Sequence, residues 1–492
     1  MKKYLILAAL ALVAATACTK TDAPELSVTN ASLKVDASGG KATFSVLSNT
    51  DWTVSFTKDT WYTLSATSGH GNGFVEITVE PYKDAGARSA AFTVEAGSLS
   101  QTVTLVQNAP APPSEIASTE IRVPAMGGTF TADIPAGFNV TTNVYWPELL
   151  TVDKVEDGRI TFTVASNPHA EKGIDAANHI YVYMSDGKTM LAQIDITQSW
   201  RNVEPGELLI EEVYFTGSPI EGSASPSTDQ YIKLTNNSDH VIYADGVMFV
   251  TNYITGTITS VGAYLEYPEL SDGLAVNNMY VIPGKGDEHP VAPGESLILA
   301  LAAIDYTASY GDGETIIEGN PNAIDLSKAD FEFYDENEIY PDTDNPDVEN
   351  LEIWFKASAT ITSLHNRGFE SYAIVIPPSG ETAESILNNR HWTGTYYFHF
   401  REWNFDFDLA EEDVWVIPGE WVLDAVNCSL EDSFYQNPWP AAFDAGWTHA
   451  GEYDKDPDRF GKSVLRKSQG GKLVDTNNST NDFTPNATPS LK

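Results

Sequence analysis

The chain of 492 residues carries 69 acidic and 28 basic residues, so its formal net charge is −41, and 42% of its residues are hydrophobic. This length predicts about three domains, because one small core does not extend over so many residues. The acidic balance argues against a nucleic acid partner, since affinity for phosphate backbones comes from lysine and arginine. It argues equally against attachment to anionic lipid headgroups by charge alone.

The first 25 residues have the composition of an export signal followed by a polar tether. Two lysines precede a short apolar run at residues 4–13, and small residues separate this run from Cys18. The run is too short to span a bilayer. The segment resembles a lipobox, although Ala15 stands where leucine or valine is usual. This resemblance implies a lipoprotein signal peptide over 1–17, lipidation of Cys18 and a tether over 18–25; an ordinary signal peptide is the alternative.

Residues 26–108 alternate apolar and polar side chains in short runs, with turn signals every ~8–12 residues. This pattern predicts a β-sandwich in which Trp52 is buried. A family resemblance rests on Gly39-Gly40, Asn49-Thr50-Asp51-Trp52, Trp61, Gly69-His70-Gly71, Arg88 and Gln107. These residues resemble the Bacteroidetes-associated carbohydrate-binding often N-terminal domain, abbreviated BACON. The resemblance implies an immunoglobulin-like module whose loop 49–51 carries any binding function.

The proline-rich residues 109–115 predict a stiff linker, because proline fixes φ and lacks a backbone donor. The following segment, 116–199, repeats the outline of the first module. The glycine pair near the start of the first module lies 68 positions before its closing glutamine, and Gly127 lies 71 positions before Gln198. Such a period indicates tandem copies, so we interpret 116–199 as a degenerate BACON-like sandwich. It has no counterpart of the loop 49–51 at the same distance.

After a linker over 200–206, residues 207–492 alternate strands with long loops. Apolar strands are predicted at 208–215 and 231–234, and residues 241–243 are expected to pair back on the second strand after a turn. This order of strands and turns resembles the lamin-tail family of immunoglobulin-like domains.

The end of the chain carries a further resemblance. Residues 461–467 and 475–479 are similar to the closing segments of an uncharacterised family of Bacteroidetes surface lipoproteins. The predicted fold class is therefore all-β, with tandem immunoglobulin-like β-sandwiches followed by a larger lamin-tail-like β-sandwich domain with long loops. One short helix is predicted over 381–387, with Ser379 as its cap.

No motif for catalysis is present: the sequence lacks a nucleophile elbow, a zinc-protease motif, a phosphate-binding loop and a CxxC pair. The nine histidines are scattered singly. Carboxylate pairs for glycoside hydrolysis are defined by their separation in space, which a sequence does not give. If Cys18 is lipidated, Cys428 has no disulfide partner and is expected to be a small buried side chain. We therefore expect no enzyme, with a polysaccharide-active hydrolase as the alternative.

Residues 330–352 contain ten acidic and no basic side chains. Calcium suits such oxygen ligands, and the segment Asp342-x-Asp344 begins like a calcium loop. Pro346 and Asp347 break the EF-hand pattern, so the hypothesis is an irregular structural calcium site with Asp342, Asp344 and Asp347 as candidate ligands. A solvated acidic loop without any cofactor is the alternative.

The segment 392–407 is rich in aromatic residues. Tyr396, Phe398 and Phe400 share one strand face, and the alternation changes phase after them, which predicts a bulge or turn near residues 401–402. Trp392, Tyr397 and Trp403 are candidate ligand-binding residues, because exposed aromatic rings bind sugars and other planar ligands. Packing of these rings against neighbouring loops is the alternative.

These features predict a lipid-anchored, surface-exposed protein of the outer membrane with a binding or accessory role. The resemblance to the lipoprotein family implies nutrient uptake beside a TonB-dependent outer-membrane receptor, with a glycan or other small molecule as the ligand. The ligand contact is expected in residues 207–492, with the two smaller modules as spacers. A structural or adhesive surface protein is a further alternative.

Overall fold

The computed structural model describes residues 23–252, 263–266, 272–311, 316–337, 339, 342–391, 396–400, 405–409, 414–432 and 439–492, with side chains outside 263–266, 396–400 and 405–409. Regular structure in these residues is almost entirely β, which confirms the predicted all-β fold class. None of the helices described there has the length and apolarity needed to cross a membrane. The predicted signal peptide and Cys18 lie outside the described residues.

The first sandwich consists of two sheets around one apolar core. Its strands are β1 (Leu26–Thr29), β2 (Ser32–Val35), β3 (Gly40–Ser48), β4 (Asp51–Phe56), β5 (Tyr62–Leu64), β6 (Ser68–His70), β7 (Gly73–Val79), β8 (Arg88–Ala96) and β9 (Leu99–Gln107). One sheet has the order β1-β3-β7-β5 and the other β2-β9-β8-β4-β6. Alternation along β3, β7 and β8 places every second side chain in the core. Trp52 is 3% exposed, as predicted.

The second sandwich repeats part of this topology. Its strands are β10 (Ala117–Val123), β11 (Gly128–Asp133), β12 (Val140–Val144), β13 (Leu150–Glu156), β14 (Arg159–Val164), β15 (Ala176–Met184) and β16 (Met190–Gln198). The sheet β10-β16-β15-β12 has the order of β2-β9-β8-β4, and β10 runs parallel to β16 as β2 does to β9. The closing glutamines Gln107 and Gln198 are both buried, and each donates to backbone carbonyls.

The two sandwiches contact each other through the loop between β7 and β8. Lys83 Nζ lies 2.6 Å from Asp157 Oδ2, and Asn139 Nδ2 donates a hydrogen bond of 2.8 Å to Asp84 Oδ1. The backbone N–H of Ala85 donates to the hydroxyl of Ser185 at 2.8 Å. The modules are therefore joined by side-chain contacts as well as by the linker.

The C-terminal part contains two large sheets and two short helices. Its strands are β17 (Leu208–Tyr214), β18 (Tyr231–Asn236), β19 (Ile242–Tyr243), β20 (Met248–Asn252), β21 (Ala263–Glu266), β22 (Gly273–Val281), β23 (Pro290–Val291), β24 (Ser296–Ala300), β25 (Tyr310–Gly311), β26 (Ile316–Ile317), β27 (Phe331–Glu332), β28 (Glu349–Asn350), β29 (Glu352–Lys356), β30 (Ser371–Val375), β31 (Tyr396–Phe400), β32 (Phe405–Leu409), β33 (Trp415–Pro418), β34 (Val422–Ser429), β35 (Thr448–His449), β36 (Ser463–Arg466), β37 (Ser468–Gln469), β38 (Lys472–Leu473) and β39 (Phe483–Ala487). The helices are α1 (Ala383–Asn389) and α2 (Ser479–Asp482).

One large sheet has the order β28-β27-β24-β18-β17-β36-β39 and the other β29-β22-β20-β30-β34-β35. The main core lies between them and includes Phe249, while Met248 and Val250 on the same strand belong to a second core on the other face. Tryptophans 415, 421 and 439 cover this second face. Strand β20 is therefore buried on both sides, which explains the apolar run over residues 247–250.

Two local predictions are wrong. Residues 242–243 form β19, which pairs with β23 and not with β18, because β17 and β24 occupy the two edges of β18. The helix begins at Ala383 and is capped by Thr382, not by Ser379. Thr382 forms a capping box with Ser385, in which each side chain accepts from the backbone N–H of the other residue.

The closing segments that resemble the lipoprotein family have structural contacts in this fold. Arg466 on β36 is buried and ion-paired with the buried Asp424, and its Nε donates to the carbonyl of Ile210 at 2.8 Å. Asp444 accepts hydrogen bonds from the backbone N–H and the hydroxyl of Ser479. These segments therefore hold the end of the chain against both sheets.

Candidate binding site

A cavity of about 380 Å³ lies at one end of the C-terminal sandwich. Strands β20 and β22 contribute Phe249, Thr251, Asn278 and Tyr280 to one wall, and residues 356–365 form the opposite wall. Phe249 and Tyr280 also belong to the main core, so the floor of the cavity is continuous with that core.

Two register shifts in the pairing of β22 with its neighbours shape the wall that the strands form. Asn277 and Asn278 interrupt the otherwise apolar strand β22, and the register shifts on both sides of it, at Thr251 against β20 and at Met279 against β29. Bulges of this kind re-aim side chains. Asn278 Nδ2 donates to Thr251 Oγ1 at 2.7 Å, and its Oδ1 accepts from the backbone N–H of Ala357 at 3.1 Å.

The loop wall is fixed to the rest of the fold. Lys356 forms an ion pair with Asp335, and the hydroxyl oxygens of Tyr280 and Thr362 lie 3.0 Å apart. The side chain of Gln230 bonds both the N–H and the carbonyl of Leu364, at 3.1 and 3.0 Å. The cavity is therefore preformed, as most small-molecule sites are.

His365 contributes an uncharged imidazole to the wall. Burial, reinforced by the neighbouring Arg367, lowers the pKa of His365 to about 4. Its Nδ1 is buried and has no hydrogen-bond partner among the described residues, and its Nε2 lies 3.5 Å from Arg367. His365 therefore lines the cavity as a neutral ring whose Nδ1 is turned away from solvent.

Glu370 supplies the only carboxyl among the described residues that line the cavity. Burial raises the pKa of Glu370, and its Oε2 accepts from His365 N–H at 3.0 Å and from the Tyr372 hydroxyl at 3.1 Å. Most glycoside hydrolases need two carboxyl groups flanking the bond that they cleave. The charge of Lys356 is balanced by Asp335, which does not itself line the cavity. The cavity wall is therefore polar and carries little net charge.

The structure locates the predicted aromatic residues only in part. Tyr397 lies on β31, opposite Asp408 of β32 and Glu266 of β21, in a three-stranded sheet. Strands β31 and β32 pair antiparallel, and the bulge or turn predicted near residues 401–402 lies outside the described residues. Trp392 and Trp403 lie outside the described residues, as does the side chain of Tyr397, so the aromatic platform stays a prediction.

The candidate calcium ligands make separate local contacts. Asp342 accepts from the backbone N–H groups of Asp335 and Thr343, and Asp344 accepts from Asn350 Nδ2 at 3.1 Å. Asp347 is exposed. In the part of the chain that the structure describes, no three acidic, histidine or cysteine side chains are placed to hold a metal ion. The calcium hypothesis therefore stays a prediction without an assembled site.

The alternative of a fully solvated acidic loop is wrong for part of this segment. Glu332 is completely buried and accepts from the N–H groups of Ala303 and Asn345, at 2.8 and 2.7 Å. Asp330 accepts from the N–H of Ile298 at 2.7 Å. Burial raises the pKa of Asp330 and of Glu332, and the backbone donors oppose this shift while their hydrogen bonds hold the loop in place.

The residues of the cavity were not predicted from the sequence. Two signals were available: an asparagine pair inside the apolar strand at 273–281, and the hydroxyl-rich run at 358–363. Neither signal indicates a binding site in the sequence alone, because only the fold brings the two segments together around the cavity.

Comparison with known families agrees with this organisation. Residues 50–108 match the BACON model, "Putative binding domain, N-terminal", and residues 292–490 match the model "Protein of unknown function (DUF4876)". The chain combines a BACON domain with a DUF4876 domain. The loop wall, His365 and Glu370 lie in the DUF4876 part, whereas β20 and β22 precede it. The lipoprotein signal and the lamin-tail likeness remain predictions from the sequence.

Several solved structures resemble this chain. A DUF4876 family protein from Bacteroides thetaiotaomicron is 21% identical, with a TM-score of 0.44, and the match covers 77% of this chain and 98% of that one. A GH5 xyloglucanase from Bacteroides ovatus is 28% identical over 20% of this chain and 22% of its own, with a TM-score of 0.17. A protein from Bacteroides thetaiotaomicron solved by NMR is 23% identical, with 17% and 79% covered and a TM-score of 0.14. No curated protein matches the chain.

Proposed function

We propose that the protein is a lipid-anchored binding protein of the outer-membrane surface, and that its cavity binds an uncharged, polyhydroxylated ligand such as a glycan fragment. One observation carries this proposal: the lining combines asparagine amides, a row of hydroxyls and the neutral ring of His365, with Glu370 as its single carboxyl among the described residues. Sugar hydroxyls pair with such groups, and a volume of about 380 Å³ lies within the range of small-molecule sites.

The family matches support the binding part of this proposal. The BACON model that matches residues 50–108 is described as "Putative binding domain, N-terminal", and the sequence resemblance implies carbohydrate as the ligand class. The cavity gives no support to a polysaccharide-active hydrolase, because the second flanking carboxyl is missing from its described lining. We place the protein beside a TonB-dependent receptor, to which it would deliver the glycan, since the sequence resemblance implies an accessory role in nutrient uptake.

Calorimetry on residues 19–492 tests this function with neutral and uronic acid oligosaccharides as probes. Ser363 is an exposed residue of the cavity lining, so Ser363→Trp fills the entrance, whereas Ser225→Trp places the same ring on an exposed loop outside the lining as a control. We expect a neutral oligosaccharide to bind the natural chain and Ser225→Trp equally, and Ser363→Trp at least tenfold more weakly. Equal affinity for Ser363→Trp, or binding of charged sugars only, would contradict the proposal.

A further inference from the structure

Each of the two sandwiches has a sheet with the same strand order, but the side chains on the outer faces of these two sheets differ. Strands β8 and β15 occupy the same place in their sheets, have nine residues each and bury alternate positions. Their partners correspond as well, since β9 and β4 flank β8 as β16 and β12 flank β15. The outward residues of the first module therefore show which side chains are sufficient for a sheet of this order to fold, and those of the second module can be compared with them.

At the outward positions the first module carries small residues and ordinary strand formers. On β8 these are Ala91, Thr93 and Glu95, with Ser55, Thr102 and Thr104 beside them. The equivalent residues of the second module are His179, Tyr181 and Tyr183, with Asn143, Gln193 and Asp195 beside them. Aromatic, amide and carboxylate side chains therefore replace alanine, serine and threonine at most positions of this patch, and Tyr183 replaces Glu95; we call the patch the aromatic face.

The rings of the aromatic face contact one another. The rings of Tyr145 and His179 meet edge to face with centroids 5.7 Å apart, and those of His179 and Tyr181 are 6.0 Å apart with planes inclined by 24°. Tyr145 is 69% exposed, and His179 and Tyr181 are half-buried. Folding of this sheet does not require aromatic rings on its outer face, because the first module has alanine and threonine at the positions of His179 and Tyr181.

The polar groups of the aromatic face are held in position. Asp195 Oδ1 lies 2.6 Å from His179 Nδ1 and accepts from Gln193 Nε2 at 2.7 Å. These two hydrogen bonds lower the pKa of Asp195, so the carboxylate is ionised and oriented at neutral pH. Groups fixed before binding lose little conformational entropy on binding.

We propose that the aromatic face is a second binding site, for an uncharged glycan chain, separate from the cavity. Sugar rings offer apolar C–H faces to aromatic side chains and hydroxyls to amides and carboxylates, which is the mixture of groups present here. No lysine or arginine lies among the outward residues of β12, β15 and β16, and the chain carries a net charge of −41, so an anionic polymer does not suit the face. Apart from the aromatic rings, the apolar side chains at these positions are Ala177 and Met190, which are too few for an apolar protein interface.

This inference rests on the proposed function as a glycan-binding protein, but it concerns a different module. It also revises the expectation that the second sandwich is only a spacer. The cavity suits a glycan fragment, whereas an open sheet face can hold a longer chain.

Affinity gel electrophoresis of residues 19–492 tests the aromatic face, with soluble neutral polysaccharides in the gel: galactomannan, mixed-linkage β-glucan, arabinan and dextran. The variant His179→Ala/Tyr181→Thr introduces the residues that the first module has at these positions, so it should fold. Its matched control is Thr93→Ala on the equivalent strand of the first module. Near-ultraviolet circular dichroism checks that both remain folded.

We expect at least one polysaccharide to retard the natural chain, and to retard Thr93→Ala and the cavity variant Ser363→Trp to the same extent. The affinity of the double variant for that polysaccharide should be at least tenfold lower. Equal retardation of the double variant, or no retardation of the natural chain by any of the four polymers, would overturn the inference. If the natural chain dimerises and the double variant does not, the face is instead a contact between two copies, which also overturns it. Loss of oligosaccharide binding in Ser363→Trp alone bears only on the cavity.

Discussion

The indole Nε1 of Trp52 donates a hydrogen bond of 2.9 Å to the carbonyl oxygen of Gly71. Glycines make room for the ring: a Cβ at Gly69 would overlap the indole, and one at Gly73 would lie 2.9 Å from it. Both glycines have φ values that any residue can adopt, so their role here is space. Trp52 thus fits into space that two glycines leave open.

Replacing this ring should be costly. Trp52→Ala should lower the free energy of unfolding of the first sandwich by about 3–5 kcal/mol, through lost burial and the cavity left behind. Gly69→Ala should lower it by about 1–3 kcal/mol, because the added methyl group overlaps the ring. Phe74→Ala is the control, since Phe74 is 66% exposed, and should change stability by less than about 0.5 kcal/mol. Urea unfolding measures all three, and an unchanged Trp52→Ala would show that the ring contributes little.

Much of the fold could be predicted from the sequence, because the alternation of apolar and polar residues along a strand determines which side chains face the core. The burial of Trp52 and strands such as β3 and β8 follow from it directly, whereas β17 was predicted from its apolar run and is buried at almost every position. The pairing of β19 could not be predicted from the local sequence. Strands β17 and β24 occupy both edges of β18, so β19 pairs with β23 instead. The helix cap was missed because two candidate hydroxyl residues stood close together and the reciprocal bond with Ser385 decided between them.

The cavity lies beyond sequence reasoning for a different reason. Its walls come from residues 249–251, 277–280 and 356–370, and two register shifts aim them at the same space. The aromatic face was visible as the alternation of His179, Tyr181 and Tyr183. Its meaning depends on alignment with β8, which the sheet order supplies.

His365 should make stability depend on pH. Its folded-state pKa of about 4 lies below the ordinary value of 6.5, so between these values the unfolded chain binds a proton that the folded chain does not. The stabilisation is complete above about 6.5 and is lost as the pH falls towards 4, by roughly 2–3 kcal/mol. Urea midpoints at pH 7.5 and 4.5 should therefore differ more for the natural chain than for His365→Gln. Identical pH dependence of the two proteins would contradict the assignment.

Arg466 should be essential to the C-terminal fold. Arg466→Met leaves Asp424 buried without its cation, which should cost about 3–5 kcal/mol. Arg159→Met removes an exposed pair with Asp133 and should cost less than about 1 kcal/mol. Thermal unfolding of both variants measures the difference, and similar small losses would show that the buried pair is dispensable.

Cys18 should anchor the protein in the membrane. Because the apolar run before it is too short to span a bilayer, lipidation is the predicted means of attachment. Cys18→Ala should move the protein from the membrane fraction to the soluble fraction, whereas Cys428→Ala should leave it in the membrane. Cys428 is buried, so it offers no thiol for acylation in the folded chain. Unchanged detergent partitioning of Cys18→Ala would refute lipidation at that residue.

The most direct test of the cavity is the NMR signal of the His365 ring in a ¹⁵N-histidine-labelled chain, assigned by its absence in His365→Gln. Because the neutral ring of His365 lines the cavity, titration with the neutral oligosaccharide that binds most tightly in calorimetry should shift its ring nitrogens along the same binding curve. His391 is exposed and does not line the cavity, so its signal should stay unchanged. Saturable binding in calorimetry with no change at His365 would show that the ligand binds elsewhere.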